Sequence, residues 1–467
     1  MSVRTRRRTC WWRTAALVLM SVHPVSAQRE TPPAAGAPRN AALPRLRRFV
    51  LPNGLKVTLV PYGSVPKVTV ALAVPASIAE EASNQVWLSE ITGTLLTEGT
   101  TRRSAASIAE EASAMGGGVS VWTDRSLTWM EGDALSEHTT SLIDLMADMA
   151  LRPRFAEATM ERVKADRARD MAVAQARAYR IAWTAFVHRL YGEHRYGLEF
   201  PTQAQLAGYT LAQVKQFYAR NFGATRSHLY VVGVFDLATT ETAVRRAFGG
   251  WSRGTSAPVI RVGPPAGVRS LTLIDRPDAV QSSIVMGLRV PAPSDSDHAA
   301  FEVTDALLGG IWTSRITSNI REQKGYAYSP GSLLNSFRSE TFWSEQADVT
   351  TSATGASLRE IIGEMDRLRA EMPTVAELEG IKNNLLGNFV RLFGTQRDVI
   401  GELSFVDVQE LGDDYLAGYV KRILAVTPTT VQRIARAYLD PDRMTIVVVG
   451  DKRTVESQLV PFRTVRR

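Results

Sequence analysis

Leu229-Tyr230-Val231-Val232-Gly233 and Thr445-Ile446-Val447-Val448-Val449-Gly450 are the stretches on which the fold turns. Each is an apolar strand that finishes in glycine, and each stands near the end of one half of the chain. Further back, apolar strands at Val65 to Val74 and Val280 to Val290 each lead into a helical stretch. The offset between matching features stays at about 215 residues, which chance apolar runs do not maintain. The sequence therefore predicts two similar domains in tandem, over 45–250 and 269–467, joined by a Gly/Pro/Ser-rich linker at 251–268.

Inside each half, short β-rich segments alternate with long amphipathic ones. Leu142, Leu145, Met146 and Met149 recur at helical spacing, with Pro153 as a stop signal. Gly118 to Asp124 and Ser126 to Gly132 read as an exposed hairpin pair, and Phe155 to Tyr191 as two helices. The expected fold class is α+β, each domain a mostly antiparallel sheet covered by helices.

The N-terminus reads as an address. Five arginines precede a short apolar run, and Val25-Ser26-Ala27 forms a small-residue cleavage site, so residues 1–27 are expected to be a signal peptide. Residues 28–44, rich in Pro and Ala, read as a flexible leader. An exported chain, periplasmic or secreted, is expected, with no integral membrane segment in its mature form. Without residues 1–27, which carry five arginines and no acid, the formal charge falls from +8 to +3. No basic stripe then remains to bind nucleic acid. The single cysteine, Cys10, leaves with the same segment, which excludes disulfides, thiolate zinc sites and a cysteine nucleophile.

Several motifs invite a chemical reading. Asn53-Gly54-Leu55 is a hairpin turn. Gly116-Gly117-Gly118 precedes a strand and lacks the lysine and helix start of a phosphate loop. His188 and His194, with Glu193, are the only dense histidine cluster, but their six-residue spacing across Gly192 does not place both rings on one helix face. Arg321 at a helix end can simply satisfy backbone carbonyls, and Tyr328 at the start of a strand can simply pack.

Three stretches carry a resemblance. Asn53-Gly54-Leu55, then Leu88 to Thr100 ending in Gly99-Thr100, then Ile320-Arg321-Glu322-Gln323-Lys324-Gly325-Tyr326-Ala327-Tyr328 resemble the insulinase/pitrilysin zinc peptidases. Active members carry His-x-x-Glu-His on a helix, two zinc ligands on one face with a general base between them. Here Glu90, Gly93 and Thr94 stand at those positions. The family's third ligand, a glutamate further along, aligns from Phe155 with Val163, with Glu161, Asp166 and Asp170 nearby. The resemblance thus implies a metal-free chain with a degenerate zinc motif that does not cut peptides alone. It also implies a half clamshell that closes against a homologous zinc-bearing subunit around an unfolded peptide. The zinc is then expected in that partner, and Arg321 and Tyr328 reach the partner's active site to bind substrate and support the transition state. A peptide is expected to add as a strand at Gly118 to Asp124. The alternative is a scaffold paralogue without a proteolytic role.

Overall fold

The computed structural model describes residues 44–263 and 267–463; the expected signal peptide and nearly all of the leader lie outside the described residues. A six-stranded sheet is built from β1 (Arg47–Val50), β2 (Lys56–Pro61), β3 (Lys67–Val74), β4 (Val119–Thr123), β5 (Thr128–Leu135) and β6 (His228–Gly233), in the order β1-β2-β6-β3-β5-β4. A five-stranded sheet follows, built from β7 (Ser270–Asp275), β8 (Gln281–Arg289), β9 (Gly331–Phe337), β10 (Glu340–Thr350) and β11 (Thr445–Gly450), in the order β7-β11-β8-β10-β9. Leaving out β1, the second order repeats the first. Even the one parallel pair recurs, β2 with β6 and β7 with β11, while every other pair is antiparallel.

The helices that position the site are α1 (Leu88–Leu96), α2 (Glu157–Gln175), α3 (Ala178–Tyr191), α4 (His298–Asp305) and α5 (Gln396–Val408). The stretch from Phe155 to Tyr191 does form two helices, α2 and α3, after a left-handed residue at Phe155 with φ 45°.

The two strands quoted first are almost wholly apolar because both of their faces are buried. Leu229 and Val231 point into the core of the first half, while Tyr230 and Val232 point to the other side of the sheet. There they meet Val399, Ile400 and Leu403, which belong to α5 of the second half. In β11, Ile446 and Val448 point into their own core, and Val447 and Val449 meet Trp183, Phe186 and Val187 of α3. Each sheet is thus roofed on one face by a helix from the other half. The apolar residues of α3 that make its roof recur at helical spacing, as those of α5 do.

Polar contacts seal the exchange. Arg338 pairs with Glu80 and Arg397 with Glu131, and Tyr230 Oη donates to Asp407 Oδ2 at 2.6 Å. Tyr196, from the loop after α3, packs on Phe337 of the second sheet and donates its hydroxyl to the Arg338 carbonyl at 3.0 Å. Among the described residues no helix is long and apolar enough to cross a membrane.

Candidate functional site

The start of α1 is set by a buried carboxylate. Trp87 adopts the left-handed conformation, φ 72°, immediately before the helix, and its side chain gives no cap. Glu81 takes over that work, accepting from Trp87 N at 3.2 Å, Ser89 N at 2.8 Å and Ser89 Oγ at 2.6 Å. These are the helix-start N–H groups that have no partner within the helix. Burial pushes the Glu81 carboxyl up to about 8, with the Ser89 hydrogen bonds pulling the other way.

With the start fixed, Leu88, Ile91 and Leu95 enter the core, and Glu90 and Thr94 share another face one turn apart. Gly93 lies against the β4–β5 hairpin: a Cβ there would stand 3.0 Å from Thr123 Oγ1 and 3.5 Å from Val121 Cγ1. Facing positions 90 and 94 is Arg167 of α2. Its Nη2 donates to Thr94 Oγ1 at 3.0 Å, and its Nη1 stands 3.5 Å from Glu90 Oε2 and 3.7 Å from Asp170 Oδ2. Burial pushes the Glu90 carboxyl up to about 7, with the Arg167 charge opposing the shift.

Val163, the position aligned with the third ligand, is 1% exposed and packs in the apolar core with Met160 and Met171. The residue of α2 that meets Glu90 and Thr94 is Arg167, one turn further on. Zinc is held by imidazoles, thiolates or carboxylates in a tetrahedral arrangement. Here one carboxylate already faces a guanidinium, one hydroxyl is bonded to it, and a glycine completes the motif. These residues do not fit the metal.

The histidines give no substitute. His188 Nε2 is 3.9 Å from Glu193 Oε1, and His194 accepts through Nδ1 from the Tyr196 N–H at 3.2 Å. Among the described residues no three His, Cys, Asp or Glu side chains gather so that they could hold a metal ion.

A cavity of about 280 Å³ opens beside Glu90 and Arg167. Its far wall is Glu199, which pairs with both Arg125 and Arg180. Trp87 closes one side, donating from Nε1 to the Glu199 carbonyl at 3.0 Å and meeting Phe200 edge to face at 5.5 Å. Thr123, Asp124 and Arg125, at the end of β4, form its rim.

The second half places its motif differently. Ala306–Gly310, which continues from α4, and Ser318–Gln323 both form π-type turns, a geometry frequent at functional sites. The first closes over buried acids. Asp305 accepts from Ser332 Oγ and from Trp343 Nε1, the latter at 2.6 Å, and burial pushes its carboxyl up to about 6. Glu345 is fully buried, and burial, with the Asp305 charge adding to it, raises its pKa well above the carboxylate range. A Cβ at Gly309 would stand 2.6 Å from Glu345 Oε2, and one at Gly310 2.6 Å from Asp305 Oδ2, so the glycine pair leaves room for these acids.

The second π-type turn carries Arg321. Its guanidinium lies 3.6 Å from the Trp312 ring centroid and 5.3 Å from that of Tyr328, with Nε 3.1 Å from Glu322 Oε1. The structure thus brings Arg321 and Tyr328 together, and its Nη1 is buried without a hydrogen-bond partner. Tyr328 is 78% exposed and Trp312 57%. Trp312 was not singled out from the sequence; the available signal was a lone tryptophan between Gly309-Gly310 and Ser314. Among the described residues this cluster shares no hydrogen bond, ion pair or ring contact with Glu90 or Arg167.

Two family profiles match the chain in succession. A family profile described as Insulinase (Peptidase family M16) matches residues 57–199, and one described as Peptidase M16 inactive domain matches residues 208–385. An uncharacterized zinc protease of Mycobacterium tuberculosis is 26% identical over 419 residues, covering 88% of this chain and 95% of the relative. An uncharacterized zinc protease of Streptomyces coelicolor is 24% identical over 415 residues, covering 87% and 89%. Among solved structures, a peptidase M16 inactive domain from Pseudomonas fluorescens superposes with a TM-score of 0.80 at 20% identity, over 87% of this chain and 98% of that one. A protease from Helicobacter pylori gives 0.77 at 18% identity, over 88% and 100%. At these identities the superpositions establish the fold: tandem domains, each a sheet covered by helices.

Proposed function

Because the chain belongs to the insulinase family of peptidases, family M16, we propose that it is the non-catalytic, substrate-binding subunit of an exported heterodimeric zinc endopeptidase. The observation that carries this reading is the contrast between the halves. The zinc-motif face holds Glu90, Gly93 and Thr94 with Arg167 across from them, whereas Arg321 and Tyr328 stand together and partly open to solvent. The zinc then belongs to a homologous partner. Arg321 and Tyr328 reach into that partner's site, one offering a fork of N–H donors to a peptide carbonyl and the other an O–H to developing charge. An unfolded peptide pairs with β4, which is the last strand of its sheet and has unpaired backbone groups along its outer side.

Co-expression with a homologue that carries an intact His-x-x-Glu-His tests this. The pair should co-purify, and peptide hydrolysis should require both chains. Arg321→Ala and Tyr328→Phe should each lower kcat/KM by about 10²–10³ while zinc content and assembly stay unchanged. A homologue fully active alone, with both chains monomeric at micromolar concentration, rules the subunit reading out. Wild-type kinetics from both variants in an intact pair would leave the scaffold reading in its place.

A further inference from the structure

Glu90 and Thr94 sit one turn apart on α1, the spacing that lets two side chains of one helix grip the same ion. What lies between them is the guanidinium of Arg167, bonded to Thr94 Oγ1 at 3.0 Å and facing Glu90 Oε2 at 3.5 Å. We propose that Arg167 is a resident cation in the metal's place, which bars divalent ions from this face and offers N–H donors to a carbonyl or carboxylate oxygen of a peptide lying along β4. This rests on the peptide-binding reading above and adds to it a contact in the half of the chain that lacks Arg321 and Tyr328.

The donors are available. Nη2 makes the one hydrogen bond of normal length, and Nη1 is 3.5 and 3.7 Å from its two carboxylates, beyond good hydrogen-bond distance. The acceptor has a way in, because the cavity beside Arg167 is rimmed by Thr123, Asp124 and Arg125 at the end of the edge strand. The other two guanidinium groups at this cavity, Arg125 and Arg180, are both engaged by Glu199, so an entering oxygen meets Arg167.

Charge balance sets the pH response. The charged groups around Glu90 and the cavity are Glu81 before α1, whose own carboxyl is pushed up to about 8, Arg167 and Asp170 on α2, Asp124 and Arg125 on the hairpin, and Arg180 and Glu199 on and after α3. When Glu90 takes up a proton, near pH 7, the cavity loses one negative charge and Arg167 loses a competing carboxylate. A peptide carboxylate should therefore bind more tightly at about pH 6 than at about pH 8.

Two measurements test the assignment. In the first, Glu90→His with Thr94→His is made with Arg167 kept and, separately, with Arg167→Glu added. Elemental analysis should find no retained zinc in the double variant and a stoichiometric amount in the triple. Zinc in the double variant overturns the exclusion. A folded triple variant without zinc, by circular dichroism and elemental analysis, overturns the assignment of position 167.

The second follows a fluorescein-labelled unfolded peptide with a free C-terminal carboxylate by anisotropy, on the full mature chain. Arg167→Met should weaken binding about ten- to a hundredfold, the range of a charge-assisted hydrogen bond, and Arg167→Lys should restore part of it. Unchanged binding by Arg167→Met overturns the peptide contact. If the wild-type chain captures no peptide at all, the substrate-binding reading fails, and the zinc measurement still decides whether Arg167 holds the metal's place.

Discussion

Glu81 is cut off from water yet must satisfy the N–H groups of Trp87 and Ser89, and its titration follows from that contest. Burial pushes the carboxyl up to about 8, so between the ordinary carboxylate range and pH 8 the folded chain holds a proton that the unfolded chain has released. Its contribution to stability therefore falls as pH rises through that window and levels off above it. Glu81→Gln keeps an oxygen acceptor and removes the titration. The variant should lose less stability than wild type between about pH 5 and about pH 8, measured by urea unfolding at both; equal losses would show that Glu81 does not titrate as described. Gly309 makes a second residue-scale prediction. Because a Cβ there would stand 2.6 Å from both Glu345 Oε2 and Ser332 Oγ, Gly309→Ala should destabilise by about 1–3 kcal/mol in chemical denaturation. This is also the scale at which the sequence says least. The change of character at positions 90, 93 and 94 is legible because the surrounding motif fixes the count. The facing residue is not, because α2 carries Arg162, Lys164, Asp166, Arg167, Arg169 and Asp170 in close succession, and only the packing of Met160, Val163 and Met171 sets which charge turns toward α1.

At the scale of elements the sequence is far more legible, since both strands that fix the repeat lie in the positions their apolar runs suggest. Small differences have local causes. Val65 falls outside β3, which begins at Lys67, and β5 continues beyond Gly132 to Leu135 to pair with the start of β3. What periodicity could not reveal is the destination of α3 and α5, because an apolar stripe shows that a helix is buried without naming the surface that buries it. Each packs on the sheet of the other half, so a truncation in either should unsettle both. Phe186→Ala should destabilise by about 3–5 kcal/mol and Leu403→Ala by about 2–5 kcal/mol. For each, denaturant unfolding followed by a tryptophan probe in either half should report one shared transition; two separated transitions would mean that the halves are not coupled through these helices.

Across the whole molecule, buried ionisable groups pull the pH of greatest stability to the acid side of neutrality. Glu81, Glu90, Glu302, Asp305, Glu345 and Glu402 all have raised pKa values, first of all through burial, so each loses stabilising influence as pH rises above the ordinary carboxylate range. His228 opposes them. Buried against Tyr230 and bonded to Thr58, it has its pKa lowered to about 3, so stability is lost as pH falls below the ordinary imidazole range. Thermal unfolding should therefore show lower stability at about pH 8 than at about pH 6, and higher stability at about pH 8 would contradict the assignment. The crossed helices have one more consequence. Two halves that each lend the other a roof stand to one another as the partners of a domain-swapped dimer, fused into one polypeptide. The connecting segment then serves mainly to keep the halves at high effective concentration. Cleaved within 251–263, the protein should still migrate as a single particle, whereas either half produced alone should aggregate through its uncovered sheet and regain solubility when the other is supplied.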